Sequence, residues 1–117
     1  MSVEDVDLVY RDHFDAMTRR YLRRLITPAL IEEHRLKPVG RHSEALGRVL
    51  AYFRRLPPAG QYLLRQSSDG RYRILAMPTE RGRPPRAIGD EVFDTLDAAY
   101  HGVFLKKIED LMDIDNG

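Results

Sequence analysis

The sequence predicts an α+β fold: a mainly helical single domain with a small antiparallel hairpin or sheet and a long C-terminal amphipathic helix. Three observations carry this. Leu96, Ala99, Tyr100, Val103, Phe104, Ile108 and Leu111 recur at steps of three and four, which marks one apolar helix face. Ser67-Ser68-Asp69-Gly70 separates two strand-like runs, and Asp-Gly suits a hairpin because glycine takes positive φ without steric cost. Upstream, three helical stretches are set off in turn by a capping serine, a Thr-Pro break and a second capping serine.

The first helix spans about residues 3–26. Ser2-Val3-Glu4-Asp5 resembles a capping box, with aspartate in place of the preferred glutamate. Tyr10, Phe14, Met17, Tyr21 and Leu25 form its expected apolar stripe, widened by Leu22 and Ile26. Arg19, Arg20, Arg23 and Arg24 cluster at helical spacing as a basic patch, read either as a solvated face or as an ionic contact with a partner. Thr27-Pro28 breaks and restarts the helix, because proline at the first helical position loses no hydrogen bond. A short helix, Ala29–Leu36, then runs to Lys37-Pro38-Val39-Gly40. Ser43 is the next cap, and the third helix covers about Glu44–Arg55, burying Ala45, Leu46, Val49, Leu50 and Phe53. Pro57-Pro58-Ala59-Gly60 ends it.

Gln61–Gln66 and Arg71–Met77 are the two strands. Tyr72, Ile74 and Ala76 alternate with Arg71, Arg73 and Leu75, a half-buried pattern. The loop Thr79–Arg86 is polar and arginine-rich, and Ala87–Phe93 is read as a third, edge strand. Thr95 caps the last helix, with Asp97 placed favourably for the helix dipole. A second face of that helix, Ala98, His101, Leu105 and Met112, has no evident internal use. Asp113–Gly117 reads as a frayed acidic tail.

Composition narrows the class. The 117 residues suit one domain with a modest core. With 43% hydrophobic and 32% charged residues the chain reads as a soluble globular protein. There is no cysteine, which removes disulfides and cysteine-based zinc sites and makes the cytoplasm the simplest expected location. No signal peptide is visible, and no apolar run approaches the roughly 20 residues of a membrane span. Net charge is +1 but unevenly placed: residues 40–86 hold ten basic and three acidic residues, and residues 87–117 hold two basic and eight acidic ones. The two parts either complement each other internally or offer a basic surface to an anionic partner.

A catalytic constellation is not evident. The sequence has no Gly-rich phosphate loop, no Gly-x-Ser-x-Gly elbow and no His-Glu-x-x-His. Glu33 and His34 are adjacent, but neighbouring helix positions point about 100° apart and do not chelate together unaided. His13, His34, His42 and His101 lack metal-ligand spacing, so neither a metal nor a cofactor is expected in this chain. Arginine and tyrosine stand out instead, residue types enriched where proteins meet partners.

An ordered series of short pieces resembles the small (alpha) subunit of N,N-dimethylformamidase. It begins with Glu33-His34, Pro38, Gly40-Arg41, Arg48-Val49 and Tyr52-Phe53-Arg54. It continues through Pro58, Gly60, Tyr62, Tyr72-Arg73-Ile74, Gly82 and Pro85 to Gly89-Asp90-Glu91, Phe93 and Thr95. It closes on Ala99, His101, Val103-Phe104-Leu105 and Ile108-Glu109-Asp110. The resemblance covers about residues 31–110. It implies a non-catalytic accessory subunit that stabilises a much larger catalytic one in a hetero-oligomer. The large subunit would carry a mononuclear iron held by tyrosines and a glutamate and would hydrolyse N-substituted amides, dimethylformamide to dimethylamine and formate. The isolated small chain would be inactive. The expected contact residues come from the segments without internal use: Arg48, Tyr52 and Arg55 on the third helix, Arg83 and Arg86 in the polar loop, and His101 and Leu105 on the last helix.

Two other readings compete. A basic hairpin could bind nucleic acid, with Arg65, Arg71 and Arg73 on phosphates and Tyr62 or Tyr72 stacked on bases. The near-neutral total charge and the acidic C-terminal segment oppose this. A self-sufficient small enzyme would need a convergent acid–base or nucleophile set, which the sequence does not offer.

Overall fold

The computed structural model describes residues 3–114, with side chains from residue 13 onward. The cap expected at Ser2, the side chain of Tyr10 and residues 115–117 of the expected tail lie outside the described residues. The order of elements is α1 (Val3–Leu25), α2 (Pro28–Leu36), α3 (Glu44–Arg54), β1 (Tyr62–Gln66), β2 (Tyr72–Ala76), β3 (Arg86–Ala87) and α4 (Leu96–Asp113). Three helix starts are capped by a side-chain oxygen. Thr27 Oγ1 accepts from the Leu30 amide at 3.2 Å, Ser43 Oγ from Leu46 at 3.2 Å and Thr95 Oγ1 from Ala98 at 3.1 Å. Pro58–Gly60 forms one 3₁₀ turn after α3.

The core is made by the helices. Leu22 of α1, Leu30 of α2, Leu46, Val49 and Phe53 of α3, and Phe104, Ile108 and Leu111 of α4 pack into one cluster. All but Leu30 come from an apolar stripe legible in the sequence, and their burial is the main favourable term for the fold.

Two stripes differ from expectation. Among the described side chains of α1 only Leu22 is buried, and Leu25 packs beside it, followed by Ile26. Phe14, Met17 and Tyr21 are 65%, 52% and 43% exposed. The core meets the C-terminal end of α1, and these three side chains point about a quarter-turn away from Leu22. On α4, Leu96 and Tyr100 are exposed as well. Both side chains line an open hollow between α4 and the first two strands, shared with Tyr62, Leu64, Tyr72 and Val103.

The basic patch on α1 is not wholly solvated either. Arg23 donates from Nε to the Leu111 carbonyl at 3.0 Å and from Nη2 to the Ile114 carbonyl at 2.8 Å. A cation at the last carbonyls of α4 favours the helix dipole and locks α1 to α4.

The sheet is antiparallel in the order β1-β2-β3. Tyr62 pairs with Ala76 and Gln66 with Tyr72, and Gly70 closes the hairpin at φ +84°. Ile74 and Leu75 are both buried, although Leu75 belongs to the face expected to be open. Successive strand residues point to opposite faces, so β2 is covered on both sides at this point.

The third strand is shorter than the expected 87–93 segment. Leu75 pairs with Ala87, a register that would set Asp90 opposite Tyr72, yet Phe93 occupies that place. Three residues are thus looped out, and Gly89, at φ +65°, supplies the left-handed turn that begins the excursion. The return carries the Phe93 ring onto α4 at Gly102, where an added Cβ would lie 2.5 Å from the ring. Gly102→Val is therefore expected to cost about 1–3 kcal/mol by overpacking. A denaturant midpoint equal to that of the wild type would contradict this contact.

Candidate functional site

The side chains with unusual surroundings converge on α4 from two directions. His34 of α2 is 3% exposed, and its ring stacks on Phe104 with centroids 3.9 Å apart. Its Nδ1 lies 2.9 Å from Nδ1 of His101, so one ring donates an N–H and the other accepts. The His42 ring lies nearly parallel to that of His34 with centroids 6.2 Å apart, and its Nε2 lies 2.6 Å from the Lys37 carbonyl oxygen, to which it donates. Burial pushes the His34 pKa down to about 4, with His101 and His42 adding to the effect. Burial also lowers His101, followed by the nearby Arg35.

This pair joins residues far apart in sequence, and the four histidines gave no spacing signal for it. The available hint was weaker. His101 lies on the second face of α4 and His34 on a helix followed by a tight breaker, which makes contact between α2 and α4 feasible. Among the described residues no three His, Asp or Glu side chains converge as metal ligands.

Glu33, next to His34, joins α2 to α3. Its two carboxylate oxygens accept from the Ser43 amide at 2.7 Å and from the Ser43 hydroxyl at 2.6 Å. These hydrogen bonds hold its pKa below the usual carboxylate range. Glu33 therefore supports the α3 cap rather than forming an acid–base pair with its neighbour.

The predicted contact residues fall into three groups. His101 and Leu105 share an open groove of about 670 Å³ along α4, with Arg35, Glu91, Lys106 and Glu109 at its sides. Leu105 is 42% exposed in that groove, whereas His101 is half-buried against His34 and has the internal use the sequence did not show. Met112, from the same expected face, packs against the core. On α3, Arg48 donates to the Tyr21 hydroxyl at 2.7 Å and to Glu44 at 2.5 Å, Arg55 is exposed, and Tyr52 leans on the core beside Phe53. Arg83 and Arg86 share a hollow between the polar loop and the first strand, with Arg83 ion-paired to Glu80 at 2.7 Å.

The residues named for nucleic acid are partly committed to this fold. The Tyr62 hydroxyl donates to Asp110 of α4, and burial, followed by this carboxylate, drives its pKa upward. Tyr72 is half-buried, and its backbone pairs with Phe93. Arg71 lies 3.8 Å from Asp69 and 3.7 Å from Asp94. Base stacking on Tyr62 would require it to leave α4.

The result is a small α+β domain whose buried polar groups join its own elements and whose open groove runs along its last helix. A family model described as N,N-dimethylformamidase alpha subunit matches residues 9–116. An N,N-dimethylformamidase alpha subunit from Alcaligenes sp is 39% identical over 87 residues, covering 72% of this chain and 65% of that one. Another, from Paracoccus aminophilus, is 34% identical over 105 residues, covering 86% and 74%. The chain belongs to the N,N-dimethylformamidase alpha subunit family. It spans just under two thirds of the Alcaligenes relative.

Proposed function

We propose that this chain is the accessory small subunit of an N,N-dimethylformamidase-type amide hydrolase. It binds a larger catalytic subunit and stabilises the assembled form by burying apolar surface on it. The name borne by its relatives, alpha subunit, supports membership of a multi-subunit enzyme. The structural observation that carries the reading is the groove along α4, where exposed Leu105 is flanked by charges of both signs. An apolar anchor within a polar rim is the arrangement of a partner contact. In this reading the iron and the amide pocket belong to the large subunit, and the alpha subunit works as a support. No helix among the described residues is long and apolar enough to cross a membrane, and we place the complex in the cytoplasm.

Leu105→Asp tests the groove. The variant would put a charge where the partner removes water, which is expected to cost about 2 kcal/mol, or roughly 30-fold in dissociation constant. The isolated chain should change stability by only about 0.5 kcal/mol, because position 105 is exposed. Co-purification of the variant with the large subunit at wild-type yield, and with unchanged affinity, would count against this surface.

A further inference from the structure

The aromatic stripe on α1 is only partly used by the fold: Arg48 of α3 donates to the Tyr21 hydroxyl at the edge of the stripe, whereas Phe14 and Met17 have no role in the core. Phe14, Met17 and Tyr21 occupy one helix face at steps of three and four, and all three are exposed. The core takes Leu22, Leu25 and Ile26 from the adjoining face. Three large apolar side chains in a row on an exposed face mark a contact surface. The charge pattern of the same helix says what covers it. Residues 3–15 hold five acidic residues and one arginine, whereas residues 16–25 hold four arginines and no acidic residue. The helix is an electrostatic rod, negative in its first half and positive in its second, and it complements itself only when a copy lies alongside in the reverse direction.

We infer that α1 is a self-association surface: two copies of this chain pair through antiparallel α1 helices, with Phe14 of one packed against Met17 of the other. The register follows from the spacing. Positions 10, 14, 17 and 21 repeat as the seam of a two-helix coiled coil. In an antiparallel pair, matching position 14 to 17 centres the two-fold axis between Asp15 and Ala16, the point at which the helix changes sign. The same register sets position 10 opposite 21, both tyrosine, and position 24 opposite 7, arginine opposite aspartate. Apolar spacing and charge order thus select one alignment independently. A parallel pair would set like charges side by side along its whole length, which opposes association. The groove along α4 lies on a different element, so self-pairing leaves the proposed large-subunit contact open and does not depend on it.

The absence of cysteine allows a clean test on the full-length chain. Phe14→Cys and Met17→Cys are made separately, mixed and oxidised, alone and after assembly with the large subunit. The inference expects a disulfide-linked pair of small chains from the mixture, and much less from either variant alone. In sedimentation the wild-type chain should have the mass of two chains, and the dimer should weaken as salt rises. Arg24→Glu should raise the dissociation constant about tenfold or more, and adding Asp7→Lys to the same chain should restore it. A wild-type monomer at every concentration would overturn the inference. So would like-with-like disulfides, which indicate parallel helices, or a cross-link from position 14 to the large subunit in place of a second small chain.

Discussion

Phe104→Ala should be the most damaging single truncation in this chain, lowering stability by about 3–5 kcal/mol, a large share of the roughly 5–15 kcal/mol typical of a small domain. Phe104 of α4 joins α2 and α3 in the helical core. Its ring stacks on His34 of α2 and meets Phe53 of α3 edge-on at 6.0 Å, and the residue is 2% exposed on α4. Removing it leaves a cavity between three helices and also uncovers the His34 ring, whose neutral form relies on that apolar shelter. Urea denaturation followed by circular dichroism reads the loss. A midpoint shift worth less than about 1 kcal/mol would mean that the core is not organised around α4.

Acid should destabilise the chain through His34. The unfolded chain takes up this proton near pH 6.5 and the folded chain only near pH 4, because burial opposes the charge. Between those values the unfolded state binds more protons, so stability rises with pH. The contribution is fully present above pH 6.5 and is lost as pH falls toward 4. Its size is on the order of 2 kcal/mol once solvent screening is discounted. His101 acts in the same direction, since its pKa is also lowered. Protonating both rings would turn the 2.9 Å Nδ1 contact into two facing donors. Equilibrium unfolding measured at intervals from pH 8 to pH 4 should show a decline beginning near 6.5, and the decline should shrink in His34→Leu. A flat profile through this window would contradict the buried neutral pair.

Most of the fold was legible because it rests on local chemistry. The caps at Ser43 and Thr95, the proline restart at Pro28 and the Asp69-Gly70 turn each act within four residues, and each appears where the sequence puts it. The buried faces of α3 and α4 follow from helical spacing in the same way. The misreadings come from decisions made elsewhere in the chain. Periodicity marks Phe14, Met17 and Tyr21 as one apolar face, but it does not say whether that face meets its own core or another molecule. The edge strand was read as continuous because its residues suit a strand. The excursion at Gly89 depends on where Phe93 finds space, which is set by Gly102.

The candidate site was less legible for the same reason. Leu105 is exposed, as a residue left over from a helical stripe should be. His101 was singled out for exposure and instead meets His34, a contact made only when α2 and α4 pack together. Arg23 was read as part of a surface patch, yet it holds the end of α4 through two carbonyls. Such contacts between distant segments leave no spacing signature in the chain.

The accessory-subunit reading is tested most directly by expressing this chain alone and together with its cognate large subunit, then measuring assembly, iron content and amide hydrolysis on the separated species. The account predicts a stable heteromer that holds iron and hydrolyses an N-alkylamide, while the lone 117-residue chain is metal-free and inert. A lone chain that ignores the large subunit and binds DNA in low salt would contradict it and would return the basic hairpin to first place.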